Sequence, residues 1–145
     1  LALAHAGPER FTPLTPAAAR KLVAERLDAL HGHVTRDGRR FDKLALADQH
    51  RVRKRLKRLR YLAEMTAPLW PRTALRAYLK RLTLAQETLG LHNDMAVAAS
   101  AFRDDAAAHP DAWFAAGFLQ AQLPKTARCA RKALVRLADA HTCWT

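Results

Sequence analysis

The chain has 145 residues, half of them hydrophobic, and carries 25 Lys and Arg against 13 Asp and Glu, a formal net charge of +12. This length fits one domain or half of a larger one. Ala and Leu occupy 31 and 22 positions while Ile is absent, which favours helix over sheet and excludes collagen-like, disulfide-framework and disordered chains. Because 18 of the basic residues are Arg, the first partner class to consider is a polyanion: nucleic acid, an acidic lipid surface or a phosphate polymer.

Hydrophobic periodicity predicts four amphipathic helices joined by short connections. The first covers residues 15–38, opening on an N-cap followed by proline, and the second covers residues 48–69. The third covers residues 73–108, and the fourth starts at residue 110 and is expected to be kinked or interrupted at Pro124. The residues predicted to face inward include Leu27, Val34, Val52, Leu56, Leu59, Trp70, Tyr78, Leu82, Leu89, Ala96, Val97, Leu134 and Leu137. The expected fold is all-α, an antiparallel four-helix bundle.

The remaining organisation of the chain is simple. Residues 1–14 are interpreted as a leader or linker remnant, and residues 15–145 as the helical domain. Cys129 and Cys143 fit no zinc or redox spacing, so we interpret them as free thiols in a reducing compartment. No apolar run approaches the roughly 20 residues of a membrane-spanning helix.

The most informative segment is a basic run at residues 50–61, in which seven of the ten residues 51–60 are basic and none is acidic. At about 100° per residue the run separates a core face from a basic stripe. We number the predicted helices α1–α4 in chain order and call the stripe on the second, residues 48–69, the α2 stripe: His50, Arg53, Lys57 and Arg60. The stripe is about 15 Å long, enough to meet several phosphoryl groups of one polymer. Acidic partners at i,i+4 are missing except for Glu64 near the end of the helix, so a bound anion would relieve the repulsion between the cations. The alternative is a solvated charged face.

Other polar residues are weaker candidates. Gln86 and Asn93 share one face of the third helix and either bond between helices or line a polar cleft. Gly90 lies between them, and a close helix crossing would explain its presence. On the second helix, Lys54 and Arg58 occupy the arc beside the stripe. The last helix has a second basic face, which either adds to an anion site or is solvated; its residues are Lys125, Arg128, Lys132 and Arg136.

The sequence has no pattern typical of catalysis. It lacks a phosphate-binding Gly-rich loop, a zinc-protease motif and a nucleophile elbow. No cluster of carboxylates is placed to hold Mg²⁺. We therefore expect a non-enzymatic binding protein with no catalytic residues, no metal ligands and no cofactor.

The basic run resembles the signature of the CHAD family, the conserved histidine α-helical domain, which reads His-x-x-Arg-x-x-x-Lys-x-Leu-Arg-Tyr. The matching residues are His50, Arg53, Lys57, Leu59, Arg60 and Tyr61. A second family element, Leu-Gln-x-x-Leu-Gly-x-x-Asn-Asp, resembles residues 85–94, with Ala85 in place of the first Leu. Thr83 stands near a position where the family often has Lys. The resemblance covers roughly residues 15–145 and corresponds to the C-terminal half of the family's domain.

The resemblance implies two related four-helix bundles around a basic cleft, of which this chain would be one half. It also implies non-catalytic binding of inorganic polyphosphate, with the α2 stripe as the phosphate contacts and a location in the cytoplasm or on polyphosphate granules. The missing half is either absent from this fragment or replaced by a second copy. The main alternative is a nucleic-acid-binding helical module using the same charges. A phosphate-chain hydrolase or transferase, and a scaffold for an acidic protein, are further alternatives.

Overall fold

Four α-helices account for most of the computed structural model, which describes residues 13–145. The helices are α1 (Pro16–Gly38), α2 (Leu46–Met65), α3 (Arg72–Asp105) and α4 (Ala112–Ala138), with 3₁₀ turns at Phe41–Lys43 and Ala67–Leu69. No strand occurs between residues 13 and 145. The all-α prediction is therefore confirmed. The remnant expected at residues 1–14 lies almost entirely outside the described residues.

The helices are arranged as the four corners of a bundle. Helix α1 packs against α2 and α4, and α3 packs against the same two helices. Helices α2 and α4 therefore lie at diagonal corners, as in a four-helix bundle. The largest fully buried side chains are Tyr78, Phe41, Leu27, Leu56, Leu59, Leu82, Leu89, Leu134 and Leu137. These are residues of the predicted inward stripes, together with Phe41 from the connection between α1 and α2.

Both ends of α1 match the sequence prediction. At the start, the backbone N–H of Ala18 donates to Oγ1 of Thr15 at 3.2 Å, and Pro16 occupies the first turn. At the end, Gly38 packs against α4. A Cβ built at Gly38 would lie 2.7 Å from the Cβ of Leu134, so only glycine lets the two helices approach this closely.

Helix α2 ends earlier than predicted. It stops at Met65, and a separate 3₁₀ turn follows before Trp70. The reason lies in Pro68, which has no N–H to continue the α-helical ladder. The turn has its own backbone bonds, from the N–H of Leu69 to the carbonyl of Thr66 and from the N–H of Trp70 to that of Ala67. Side chains add to them: Oγ1 of Thr66 donates to the carbonyl of Leu62, and Nε1 of Trp70 donates to Oγ1 of Thr66 at 3.0 Å.

Helix α4 runs through Pro124 without a break, so the expected interruption is wrong. Proline costs one backbone hydrogen bond and a steric clash inside a helix. Buried side chains on both sides of it, Leu123 and Ala127, hold the two parts of the helix against the rest of the molecule. Tertiary packing therefore outweighs the local preference of proline to end a helix.

Helices α3 and α4 are longer than the bundle. The contiguous core ends at Leu89 on α3 and Ala130 on α4. Beyond this level, residues 93–105 of α3 and 112–124 of α4 form a two-helix projection about 20 Å long, which we call the distal hairpin. Small residues, including Ala99 and Ala116, are buried within it. Val97, predicted to face inward, is 61% exposed, so that prediction is wrong.

Candidate functional site

The basic run forms a regular helix whose hydrophobic face is fixed in the core. Val52, Leu56 and Leu59 of α2 are at most 1% exposed. Their burial sets the rotation of the helix about its axis, and this rotation turns the α2 stripe toward α3. The groove between α2 and α3 is therefore lined on one side by cationic side chains.

Two contacts across the groove show how closely the stripe approaches α3. Nδ1 of His50 lies 3.5 Å from Oδ1 of Asn93, and Nη1 of Arg60 donates to Oε1 of Gln86 at 3.3 Å. The stripe thus reaches α3 at both of its ends. Arg53 and Lys57 lie between these two contacts and are half-buried along the groove.

The amide side chains of α3 take the first of the two roles proposed from the sequence. Gln86 and Asn93 bond between helices, to Arg60 and His50 of α2. Because their oxygen atoms face Arg60 and His50, their N–H₂ groups remain available to donate to an anion. This arrangement gives the groove neutral donors on the side opposite the cations.

Gly90 does not mark a close helix crossing, so that explanation is wrong. A Cβ built at Gly90 would meet nothing within 4 Å. Gly90 follows Gln86 by one turn and precedes Asn93 by three residues, so it shares the face that borders the groove. At this position the groove therefore reaches down to the helix backbone.

More cations of α2 have acidic partners than the sequence indicated. Arg60 pairs with Glu64 at 2.7 Å, as predicted. Arg51 also pairs with Asp48 on the same helix, and Nη1 of Arg55 lies 2.7 Å from Oδ2 of Asp37 on α1. On the side of α2 that faces α1, carboxylates at a spacing other than i,i+4 and from another helix therefore supply the partners. Within residues 13–145, the cations of the helix without an acidic partner are Arg53, Lys54, Lys57 and Arg58.

The other sequence candidates lie apart from the groove. Lys54 and Arg58 are exposed on the outer side of α2. The basic face of α4 is also exposed, and it belongs to the corner diagonal to α2. Near its end, Nη1 of Arg81 on α3 donates to the backbone carbonyl of Arg136 at 3.1 Å. The structure thus presents two separate basic surfaces rather than one. The α4 surface consists of Lys125, Arg128, Lys132 and Arg136.

A buried hydrogen-bond network beside the stripe was missed by sequence reasoning. In the neutral ring of His92, Nε2 donates to Oε1 of Gln49 at 2.7 Å, and Nδ1 accepts from Oγ1 of Thr126 at 2.7 Å. Nε2 of Gln49 in turn donates to the carbonyl of Phe41 at 3.0 Å. Burial lowers the pKa of His92 below its usual 6.5. The network links α2, α3 and α4. The only signal in the sequence was that Gln49 and His92 are polar residues on otherwise apolar helix faces.

Residues 13–145 contain no group of three or more His, Cys, Asp or Glu side chains arranged to hold a metal ion. No helix in this range is both long and apolar enough to cross a membrane. Cys129 is exposed and Cys143 is buried, and both are free thiols.

Comparison with known proteins decides the family. The family model described as the CHAD domain matches residues 1–103. The chain belongs to the CHAD domain family. Neither the curated proteins nor the solved structures gave a match. The CHAD match contains the α2 stripe and both amides of α3, and the family predicted from these motifs is confirmed.

The extent of the CHAD match differs from the sequence-based boundaries. It begins at residue 1 rather than about residue 15 and ends at residue 103, inside the last turns of α3. The narrower assignment to the C-terminal half of the domain is therefore slightly off. Helix α4 and its basic face lie outside the match. CHAD domains are associated with polyphosphate binding and are generally non-catalytic.

Proposed function

We propose that the chain binds inorganic polyphosphate, without catalysis, in the groove between α2 and α3. The observation that carries this proposal is the α2 stripe itself. Its two central cations, Arg53 and Lys57, are half-buried along the groove and have no acidic partner among residues 13–145. Like charges at this spacing repel one another, and a polyanion in the groove removes that cost.

The geometry suits a linear polymer. The stripe extends about 15 Å along α2, so successive side chains can contact successive phosphoryl groups. Guanidinium and ammonium groups form charge-assisted hydrogen bonds with phosphate, each worth about 1.5–3 kcal/mol. On the opposite side, the amide N–H₂ groups of Gln86 and Asn93 supply further donors. Binding should weaken steeply with salt, because each neutralised phosphate releases a counterion.

The direct test replaces the two central cations. Arg53→Ala and Lys57→Ala should each lower the affinity for long-chain polyphosphate about tenfold, since each loses one charge-assisted contact. Titration calorimetry at two salt concentrations measures the affinity, and circular dichroism checks that helicity is unchanged. Arg103→Ala on the distal hairpin and Lys21→Ala on α1 are matched controls, because both side chains are exposed and distant from the groove. Unchanged affinity in both test variants would remove the stripe from the site.

Titrations of the same kind distinguish polyphosphate binding from the nucleic-acid alternative. Duplex DNA and heparin, compared at matched charge and salt, report how much of the binding is generic electrostatic attraction. Tight binding that favours polyphosphate supports a groove shaped for phosphate chains. Equal binding to all three polyanions would contradict the proposal. If the proposal holds, the protein should be found where polyphosphate is stored, in the cytoplasm or on granules.

We also propose that a second copy of the chain packs against the distal hairpin. The hairpin carries four exposed aromatic side chains: Phe102, Trp113, Phe114 and Phe118. Residues 112–124 contain no charge at all, a pattern typical of a helix with neighbours on several sides. A second hairpin packed on the first would complete a four-helix arrangement like that of the bundle.

Charge favours a second copy as the occupant. Residues 93–124 contain four acidic residues and one basic residue, a net charge of −3, whereas the whole chain carries +12. Two hairpins packed antiparallel about a two-fold axis would bring each acidic tip beside the basic bundle of the other copy. Such a pair would also place two basic grooves in one assembly.

Light scattering coupled to size-exclusion chromatography tests this proposal. The chain should elute as a dimer, and Phe114→Glu should convert it to a monomer, because it places a charge at a side chain that is 82% exposed. Met65→Glu is the control, since Met65 is 81% exposed at the end of α2. A monomeric wild-type chain, or a dimer that survives Phe114→Glu, would exclude the hairpin as a self-association surface.

A further inference from the structure

A cavity of about 220 Å³ opens at the head of the α2 stripe. It lies between the start of α2 and the middle of α3, where the bundle passes into the distal hairpin. Most of its wall is apolar. The apolar side chains that line it are Phe41, Leu46, Leu89, Ala96 and Val97. Inorganic phosphate has no atoms that such a wall would favour, so the proposed function leaves the cavity unexplained.

The polar groups of the cavity divide into two sets. Gln49 and His92 are buried, and the hydrogen bond between them satisfies Oε1 of Gln49 and Nε2 of His92. The mouth is different: His50 and Arg53 of the stripe line it together with Asn93. One continuous surface therefore joins an apolar pocket to the first two cations of the phosphate groove.

We propose that this cavity accepts the organic group of a phosphate ester, with a nucleoside polyphosphate as the ligand class. The base would enter the apolar cavity, and the phosphate chain would follow the stripe from His50 toward Arg60. This inference rests on the proposed function, because it uses the same cations for the phosphates. It adds a second determinant of affinity, because the cavity would recognise the organic group at one end of the ligand while the stripe binds the phosphate chain.

The size and the rim of the cavity favour a base over a lipid chain. Pockets for drug-sized ligands usually enclose about 300–1,000 Å³, so a cavity of about 220 Å³ suits one planar ring system. The amide of Asn93 and the hydroxyl of Ser100 both line it and can bond to the polar edge of a ring. An alkyl chain would leave these groups without partners.

Competition between two phosphate compounds tests the inference. ATP and inorganic tripolyphosphate are titrated without divalent metal, against the wild-type chain and two variants. The wild-type chain should bind ATP at least tenfold more tightly than tripolyphosphate. Ala96→Leu fills the cavity with a side chain that favours helix, and it should remove this preference while leaving tripolyphosphate binding within about twofold. Ala101→Leu makes the same change at an exposed position of α3 outside the cavity and should alter neither affinity.

The outcomes separate this inference from the proposed function. If tripolyphosphate and long-chain polyphosphate bind but ATP binds no more tightly than tripolyphosphate, the cavity is not a base site. Only the inference then fails. If none of these compounds binds, the groove itself fails as a phosphate site. Loss of both ligands in Ala96→Leu would also overturn the inference, because the cavity would then have no role separate from the groove.

Discussion

Arg60 joins both helices of the groove through Gln86. Its Nη1 donates to the amide oxygen of Gln86 on α3, while its Nε donates to Glu64 on α2 at 2.7 Å. The guanidinium is thus held in place by two acceptors, one neutral and one charged. Glu64 neutralises the charge of Arg60, one of the four residues of the stripe, and so weakens the attraction for an anion at this end of the groove.

Removing that carboxylate should strengthen polyphosphate binding. Glu64→Gln keeps the shape of the side chain and releases the charge of Arg60, so we expect affinity to rise by about two- to fivefold, the range of a partly exposed ion pair. Titration with polyphosphate measures the change. Glu87→Gln on the exposed side of α3 alters the net charge equally, and it should have a smaller effect. Equal gains in the two variants would mean that only net charge matters.

The open backbone at Gly90 gives a second prediction. Gly90→Leu should raise the free energy of unfolding by roughly 0.5–1 kcal/mol, because glycine disfavours helix and no neighbour lies within 4 Å to clash. The same side chain enters the groove beside Gln86, so polyphosphate affinity should fall about tenfold. Gly117→Leu on α4 is the matched control, as a Cβ there also meets nothing. A Gly90→Leu variant that is more stable and binds normally would show that the ligand does not approach α3 here.

Stability should respond in opposite directions at two glycines of α1. Gly38→Ala forces a Cβ to within 2.7 Å of Leu134, and overpacking of this kind costs about 1–3 kcal/mol. Gly32→Ala, on the same helix with open space around it, should instead stabilise the fold by up to about 1 kcal/mol. Urea denaturation measures both. Destabilisation by Gly32→Ala would contradict the packing described for α1.

The buried His92 predicts a pH dependence of stability. Burial lowers its pKa below 6.5, so as the pH falls below that value the unfolded chain takes up a proton that the folded chain resists. Stability is therefore full above about pH 6.5 and declines below it. Burial of His31 lowers its pKa as well, against an opposing effect of Asp28, and acts in the same direction.

Urea titrations between about pH 7.5 and pH 5 test this expectation. His92→Gln lowers stability overall, because it disrupts the bonds to Gln49 and Thr126, but it should flatten the pH dependence. The informative quantity is thus the slope with pH rather than the stability itself. A variant with the wild-type slope would exclude His92 as its source.

Much of the fold was predictable because local rules act within single helices. The N-cap at Thr15 and the glycine at Gly38 define α1 in the sequence and in the structure alike. Spacing also identified the core face of α2, since the period of an α-helix places Val52, Leu56 and Leu59 together. The helix is not interrupted at Pro124, because packing around this residue outweighs its local preference.

Only the part of the candidate site that lies on α2 was predictable from the sequence. The sequence alone was enough to identify the α2 stripe, its length and its likeness to the CHAD signature, because these depend on helical period and residue type. Tertiary structure decided which cations are neutralised: Asp37 reaches Arg55 from another helix, a pairing that no spacing within α2 reveals. It also decided that α4 presents its basic face at the opposite corner, and that a cavity opens beside His50. These features depend on how helices meet in space, and that is set by side-chain packing over the whole bundle rather than by any one segment.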